Sequence, residues 1–207
     1  MWLSALAMSE PDGGPSPSTV ARVSWPVRTE RLTLRAATTD DVEATWAYRR
    51  LDVVAEWLTS LPTGIDDYRK TFNEPGRLGD AVIAEHDGHL VGDFMLRAED
   101  AWAQADVAEH AKDKQVELGW VLDPAYTGRG YATEAVRALI AVCFEQLDAH
   151  RVVANCFFAN ESSWRLMERV GMRREAHTVR DSLHRHHGWL DGLAYAVLAD
   201  EWRGQTG

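Results

Sequence analysis

Gln115-Val-Glu-Leu-Gly-Trp-Val-Leu122, followed by Tyr126-Thr-Gly-Arg-Gly-Tyr-Ala132, is the stretch that decides the fold. The first segment alternates in polarity, which predicts a β-strand. Side chains along a strand point to opposite faces in turn, so Val116, Leu118, Trp120 and Leu122 share one face. Glu117, Gly119 and Val121 take the other. Pro124 to Gly130 predicts a turn. From Tyr131 to Leu147 apolar residues recur at spacings of three and four (Ala132, Ala135, Val136, Leu139, Ile140, Cys143, Leu147), the period of an amphipathic helix. A strand leading through a glycine-rich turn into a helix leaves unpaired main-chain N–H groups and the positive end of the helix dipole at the turn. That suits a pyrophosphate. The same residues also read as a glycine-rich turn with no ligand. A dinucleotide site fits less well, because Thr133 stands where a third glycine belongs and Val153-Ala-Asn-Cys156 offers no acid for a ribose. A P-loop is excluded, since no Gly-Lys-Ser/Thr follows.

Upstream, Thr29-Glu-Arg-Leu-Thr-Leu-Arg35 alternates and predicts a strand. Thr39-Asp-Asp41 offers a cap and an acidic first turn for a helix to Leu51, and a second helix is predicted from Asp66 to Asn73. Asp80 to His86 and Leu90 to Arg97 read as two strands joined at Asp87-Gly88, a hairpin signal. Residues 98–114 show no period and predict a long loop, of a kind that is usually functional or disordered. Downstream, Arg151 to Cys156 is a strand, and Asn160-Glu-Ser-Ser163 opens a helix that stops at Gly171. Two long strands around His187-Gly188 close the chain. This order predicts one mixed α/β domain, a sheet with helices packed on it.

The 207 residues fit one domain of ordinary globular composition, 45% apolar and 26% charged. No apolar run is long enough to span a membrane, which needs about 18 residues or more. The formal charge is −10, from 22 basic and 32 acidic residues, and no basic stripe appears, so nucleic-acid binding is excluded. The acidity serves solubility or draws in cationic substrates such as amines. Cys143 and Cys156 match no disulfide or zinc spacing and read as buried hydrophobes in a reducing cytoplasm. Met1 to Met8 lacks the basic start of a signal peptide. Residues 1–24 are rich in Pro, Gly and Ser and predict a mobile tail ahead of a domain at 25–207. His184 and His186 alternate onto one strand face, but no carboxylate or cysteine spacing supports a metal, so none is expected.

Glu117-Leu-Gly-Trp-Val-Leu-Asp-Pro124, Gly128-Arg-Gly-Tyr-Ala-Thr-Glu-Ala135, and Asn160-Glu-Ser-Ser163 with Glu168-Arg-Val-Gly-Met172 together resemble the GNAT acetyltransferase superfamily. The opening Thr29 to Arg35 and the closing Gly188-Trp-Leu-Asp191 with Tyr195-Ala-Val-Leu198 resemble its RimJ/RimL type. The likeness runs over residues 27–203. It implies a single-domain fold with a mixed, mostly antiparallel seven-stranded sheet and about four flanking helices. It implies acetyl-CoA as co-substrate, bound where the fourth and fifth strands splay apart. Pantetheine would run along the main chain of Trp120, Val121 and Leu122. The pyrophosphate would meet Thr127, Gly128, Arg129, Gly130, Tyr131 and Ala132, with Arg129 adding charge. Thr127 stands where the family motif begins with Gln or Arg.

Acetyl transfer to an amine needs a neutral amine, a stabilised oxyanion and a proton for the leaving thiolate. An aliphatic amine has a pKa near ~10.4 and an α-amino group near ~8, so a base must take a proton at neutral pH. The resemblance places Glu117 as that base, directly or through water, and Ser163 as the acid for the thiolate. It sets Asn160 on the pantetheine amide and a Val121 N–H on the oxyanion. Glu117 also reads as an ordinary cross-strand charge, and Asn160, Ser162 or Ser163 as helix caps. Trp46, Trp57, Tyr68 and Trp102 are candidates to line an acceptor site, with Trp102 the expected substrate contact and Trp46 the expected core residue. The resemblance implies an amine acceptor, a protein N-terminal α-amino group, and is compatible with a homodimer. Relatives that modify polyamines or aminoglycosides, or that transfer succinyl, keep those readings open, as does a non-catalytic acyl-CoA-binding module.

Overall fold

The computed structural model describes residues 18–206; the expectation of no signal peptide and most of the expected tail lie outside them. The sheet has eight strands: β1 (Val27–Arg28), β2 (Thr33–Ala36), β3 (Ala81–His86), β4 (His89–Glu99), β5 (Gln115–Leu122), β6 (Arg151–Phe157), β7 (Arg173–His184) and β8 (Gly188–Leu198). Their order is β1-β2-β3-β4-β5-β6-β8-β7. Only β5 and β6 run parallel. The strand beyond the expected seven is β1. It arises because Thr29 N–H donates to the Leu32 carbonyl (2.9 Å), which turns the chain at residues 29–32, so that Val27–Arg28 pairs back on β2 and the expected Thr29–Arg35 strand begins only at Thr33.

Two hairpins follow the turn residues. Asp87 and Gly88 both have positive φ (50° and 77°), as a two-residue hairpin turn requires. The β7–β8 turn ends at Gly188, also at positive φ. Residues 98–114 are more ordered than a loop: β4 runs on to Glu99, and a 3-10 helix occupies Ala105–Ala111. Ala101 N–H on the Ala111 carbonyl (2.9 Å) closes the remainder, because this polar stretch pairs its own backbone.

Helices cover both faces. On one lies α5 (Tyr131–Glu145), whose Ala135, Val136, Leu139, Ile140 and Cys143 are fully buried against Leu34, Val82, Leu96, Val116 and Val152. Next to it is α6 (Glu161–Arg169), which ends at Gly171 with φ +87°. On the other face sit α1 (Val42–Arg49) and α3 (Ile65–Phe72), around a smaller core of Val42, Tyr68 and Phe72. Trp46 stacks on Tyr68 there (5.2 Å). The short α2 (Asp52–Ala55) and α4 (Pro75–Gly79) and the terminal α7 (Ala199–Thr206) go beyond the expected helices. The expected tail boundary at residue 24 also moves: Val20 and Val23 are buried in the main core, and Ala98 N–H donates to Thr19 Oγ1 (3.0 Å). Burying these side chains holds the segment to the domain.

Candidate active site

β5 and β6 pair only at Gln115↔Arg151, Val116↔Val152 and Glu117↔Val153. Beyond that point β5 stays with β4, from Leu118↔Leu96 to Leu122↔Gly92, and β6 stays with β8, from Ala154↔Tyr195 to Phe157↔Gly192. Each strand follows its antiparallel neighbour, so the two diverge. The main chain of β5 from Leu118 to Leu122 then has a free edge along a cleft of about 1430 Å³. Such an edge pairs with an extended ligand as a strand would. Trp120 packs against the main core and also lines the cleft. At Gly119 an added Cβ would meet only Met95, at 3.5 Å, so internal packing does not demand glycine there. The missing side chain leaves cleft space instead.

The glycine turn closes one end. Gly128 and Gly130 have φ of +75° and +82°, which favours glycine, and Gly130 caps α5 without a side-chain acceptor. Glu134 N–H reaches the Gly130 carbonyl (3.0 Å); the amides of Tyr131, Ala132 and Thr133 belong to the first turn, which has no intrahelical acceptors. Thr127, Gly128, Gly130, Tyr131 and Ala132 all line the cleft. Arg129 lies outside that lining, its guanidinium 5.6 Å from the Tyr126 ring. A pyrophosphate, a pantetheine arm and a thioester therefore have matching donors in sequence along one wall.

Glu117 stands where the strands part. Its Oε1 accepts from Asn155 Nδ2 (3.3 Å), and its Oε2 lies 3.7 Å from Arg97 Nη1. Arg97 Nε also donates to Asp80 (3.1 Å). The carboxylate is a quarter exposed and lines the cleft, so it is held by two neighbours and open to a third partner. Opposite, Asn160 caps α6: its Oδ1 accepts from Ser162 Oγ (2.9 Å) and Ser163 N–H (3.3 Å). The capping alternative for Asn160 thus holds, and its Nδ2 is the group left for a ligand. Ser163 is half-buried on the cleft, with its hydroxyl beside the Cys156 thiol. Burial pushes that thiol up to about 11, against the pull of Ser163 and Arg174. Cys156 is therefore protonated near neutral pH.

Trp102 does not join this group. It is 93% exposed and lies outside the cleft lining. Of the four aromatic candidates Trp57 lines the cleft, packed on Phe157 (6.2 Å) and the buried His184 (5.4 Å). Both ring nitrogens of His184 are engaged, Nε2 with the Glu56 carbonyl (2.9 Å) and Nδ1 with the His186 and His187 amides. This packing gives the His184 to His187 stretch a structural place. Among the described residues no cluster of three or more His, Cys, Asp or Glu could hold a metal ion.

Sequence reasoning missed a buried ionic cluster at the cleft wall. Arg49 grips Asp93 through two bonds, Nη2–Oδ2 at 2.6 Å and Nε–Oδ1 at 3.0 Å, and the Tyr48 hydroxyl donates to the same carboxylate. Burial, then the Asp93 charge, pushes the Tyr48 phenol well above its ordinary range. The cluster ties α1 to β4 opposite Val121. Its one trace in the sequence is an acid inside the apolar run Leu90-Val-Gly-Asp-Phe-Met-Leu96.

Residues 31–173 match the acetyltransferase (GNAT) domain model. The chain is 28% identical over 182 residues to the uncharacterized N-acetyltransferase YnaD of Bacillus subtilis, covering 85% of this chain and 98% of that one. It is 27% identical over 180 residues to YdaF of the same organism, named as a candidate ribosomal N-acetyltransferase, covering 85% and 96%. A solved GNAT-family acetyltransferase from Bacillus anthracis superposes with a TM-score of 0.71 at 28% identity, covering 85% and 99%.

Proposed function

The chain belongs to the GNAT acetyltransferase family, and from that premise we propose that its acceptor is a protein N-terminal α-amino group, acetylated in the cytoplasm. It is an N-acetyltransferase with acetyl-CoA as co-substrate, which supplies the activated thioester. The observation that carries the reading is the position of Glu117 where β5 and β6 part, with a carboxylate oxygen open to the cleft. An acceptor amine enters on the side of Trp57 and Met95, on the face opposite α5. There Glu117 takes a proton from the ammonium. The Val121 main chain turns toward Asp93 of β4, in the register that sets the Asp123 N–H on the Val91 carbonyl, so the N–H that donates to the developing oxyanion is that of its neighbour Trp120, on the free edge of β5. The neutral amine attacks the thioester carbon, the C–S bond breaks, and Ser163 gives its hydroxyl proton to the leaving thiolate and takes up the second proton that the nitrogen loses. The main chain of Trp120, Val121 and Leu122, with the amides of the Thr127–Ala132 turn and Asn160, holds the donor. Direct attack within a ternary complex follows, because both substrates have their own walls of one cleft.

The candidate ribosomal assignment of YdaF supports a protein terminus as acceptor. The two unpaired cysteines agree with a reducing compartment. The test is thiol release from acetyl-CoA with a panel of peptides bearing N-terminal Ser, Ala or Met, beside spermidine and an aminoglycoside. Turnover of a peptide with a free terminus, and none of the same peptide blocked at its terminus, is expected. Faster turnover of spermidine or the aminoglycoside would reassign the acceptor to a small amine. Succinyl-CoA in place of acetyl-CoA tests the donor in the same assay.

A further inference from the structure

Five arginines line the cleft, and four of them are engaged. Arg49 pairs with Asp93, Arg97 with Asp80 and Glu117, and Arg165 with Glu161 (2.8 Å). Arg169 donates to Thr133 at the start of α5, on the side of the glycine turn. Arg77, on α4, differs. Among the described residues it has no carboxylate within ion-pair distance, and the Arg49 cation acts on it more strongly than the Asp93 carboxylate that Arg49 holds. Its guanidinium is set against the Tyr68 phenol, and Tyr68 donates onward to Thr45 (2.9 Å), so the phenol oxygen is free to accept from the arginine. The side chain is half-buried and fixed on the acceptor face, beside Asp80 and Arg49. Burial, then the Arg49 charge, lowers its pKa from the ordinary arginine value.

A desolvated cation beside a like charge costs stability unless something pairs with it. Tyr68 offers only a neutral acceptor, Asp93 is already held by Arg49, and among the described residues no carboxylate lies within ion-pair distance of Arg77, which lines the cleft. The planar fork of a guanidinium fits a carboxylate through two parallel bonds. We propose that Arg77 is a specificity-determining residue that pairs with a carboxylate of the acceptor. The acceptor class is then an amine that carries a carboxylate, here a peptide with Asp or Glu close behind its first residue. The inference rests on the peptide reading above for the source of that carboxylate; a small amino acid is the other source. The net charge of −10 opposes acidic acceptors at long range, so the preference must come from this local contact.

The test measures KM for matched acceptors with the full chain at saturating acetyl-CoA. One arm holds peptides beginning Ser-Glu, Ser-Gln and Ser-Lys. The other holds γ-aminobutyrate and putrescine. Wild type, Arg77→Gln and Arg77→Lys are compared, with acetyl-CoA affinity by calorimetry as the check on folding. In wild type the Ser-Glu peptide should have a KM about tenfold below the Ser-Gln peptide, the scale of one charge-assisted contact. Arg77→Gln should remove that difference, and Arg77→Lys, which keeps the charge and loses the fork, should fall between. Peptide turnover with no acidic preference, or a preference that survives Arg77→Gln, overturns the inference and leaves the peptide reading standing. Turnover of small amines alone overturns the peptide reading; the inference then stands if γ-aminobutyrate is preferred over putrescine through Arg77, and falls if it is not. Failure to acetylate any carboxylate-bearing acceptor overturns it outright.

Discussion

The Arg31 guanidinium donates from Nη1 to the Arg129 carbonyl at 3.0 Å, which ties the glycine turn of the cleft to the segment leading into β2. The same guanidinium pairs with Glu134 in the first turn of α5 (2.7 Å), and Glu134 accepts from Thr29 Oγ1 (2.6 Å) and Arg31 N–H (2.8 Å) as well. Burial alone would raise the Glu134 carboxyl; the Thr29 and Arg31 bonds outweigh it and hold it below the ordinary range. The turn and the helix start are thus clamped by one ionic group. Arg31→Ala should loosen the amides proposed to meet the pyrophosphate and weaken acetyl-CoA binding by about 5- to 30-fold, the equivalent of about 1–2 kcal/mol for one charged hydrogen bond. Calorimetry checks this. Unaltered affinity would mean that the glycines alone set the shape of the turn.

Glu117 and Asn155 meet at 3.3 Å across the point where β5 and β6 separate. If the carboxylate takes the amine proton, Glu117→Gln should lower kcat by about 10²–10⁴-fold. Acetyl-CoA affinity should stay as in wild type, because the donor is proposed to rest on the main chain of β5 and on the turn. The amide keeps the shape of the side chain, so a loss of activity would report the lost proton acceptor. Undiminished turnover across the pH range would assign the base to another group.

Most of this arrangement was legible in the sequence. The alternation of residues 115–122 and the three-and-four spacing after Tyr131 are local patterns, and the strand, turn and helix fall at Gln115–Leu122, Gly128–Gly130 and Tyr131–Glu145. Because its motifs are contiguous, the resemblance pointed to Asn160 and Ser163, which do line the cleft. The acceptor wall was not legible. Trp57 meets Phe157 and His184, and Arg49 meets Asp93, only after distant segments pack together. The exposed Trp102 shows the same limit: an aromatic residue in a long polar segment has no local signal for the direction it faces. The short β1 and the burial of Val20 were missed because two or three residues hold no period.

Asp41 is the buried acid whose loss stability measurements should register. It is 6% exposed, and it holds Arg35 through two bonds (2.7 and 2.8 Å) and the Thr38 N–H (2.7 Å). Burial pushes its carboxyl upward, and the Arg35 and Thr38 contacts outweigh that, so its folded pKa lies below the ordinary aspartate range. A carboxyl depressed in the folded state contributes stability in full above its unfolded pKa of about 3.9, and that contribution drains away as pH falls through the folded value. Asp41→Asn should therefore cost about 1–3 kcal/mol in urea unfolding at pH 7. The gap to wild type should hold down to about pH 5 and narrow below about pH 4. A gap that stays constant to low pH would show that shape, and not charge, carries the contribution.

Gly92 faces β5 at the other end of the cleft wall. A Cβ built there would lie 2.6 Å from the Val121 carbonyl oxygen and 3.2 Å from Leu122 Cα. Both are main-chain atoms, which cannot swing aside as a side chain would. Gly92→Ala must therefore push β5 away from β4 at the residues whose backbone is to hold the donor and the oxyanion. Overpacking of this kind costs about 1–3 kcal/mol, and acetyl-CoA binding should weaken with it. Gly119→Ala is the control on the same strand pair: its Cβ would meet Met95 at an ordinary 3.5 Å, so the fold should tolerate it and any loss should fall on substrate binding. Thermal unfolding and calorimetry on the two variants separate these effects. Equal stability and equal affinity of Gly92→Ala and wild type would mean that β4 and β5 yield without moving the Val121 main chain.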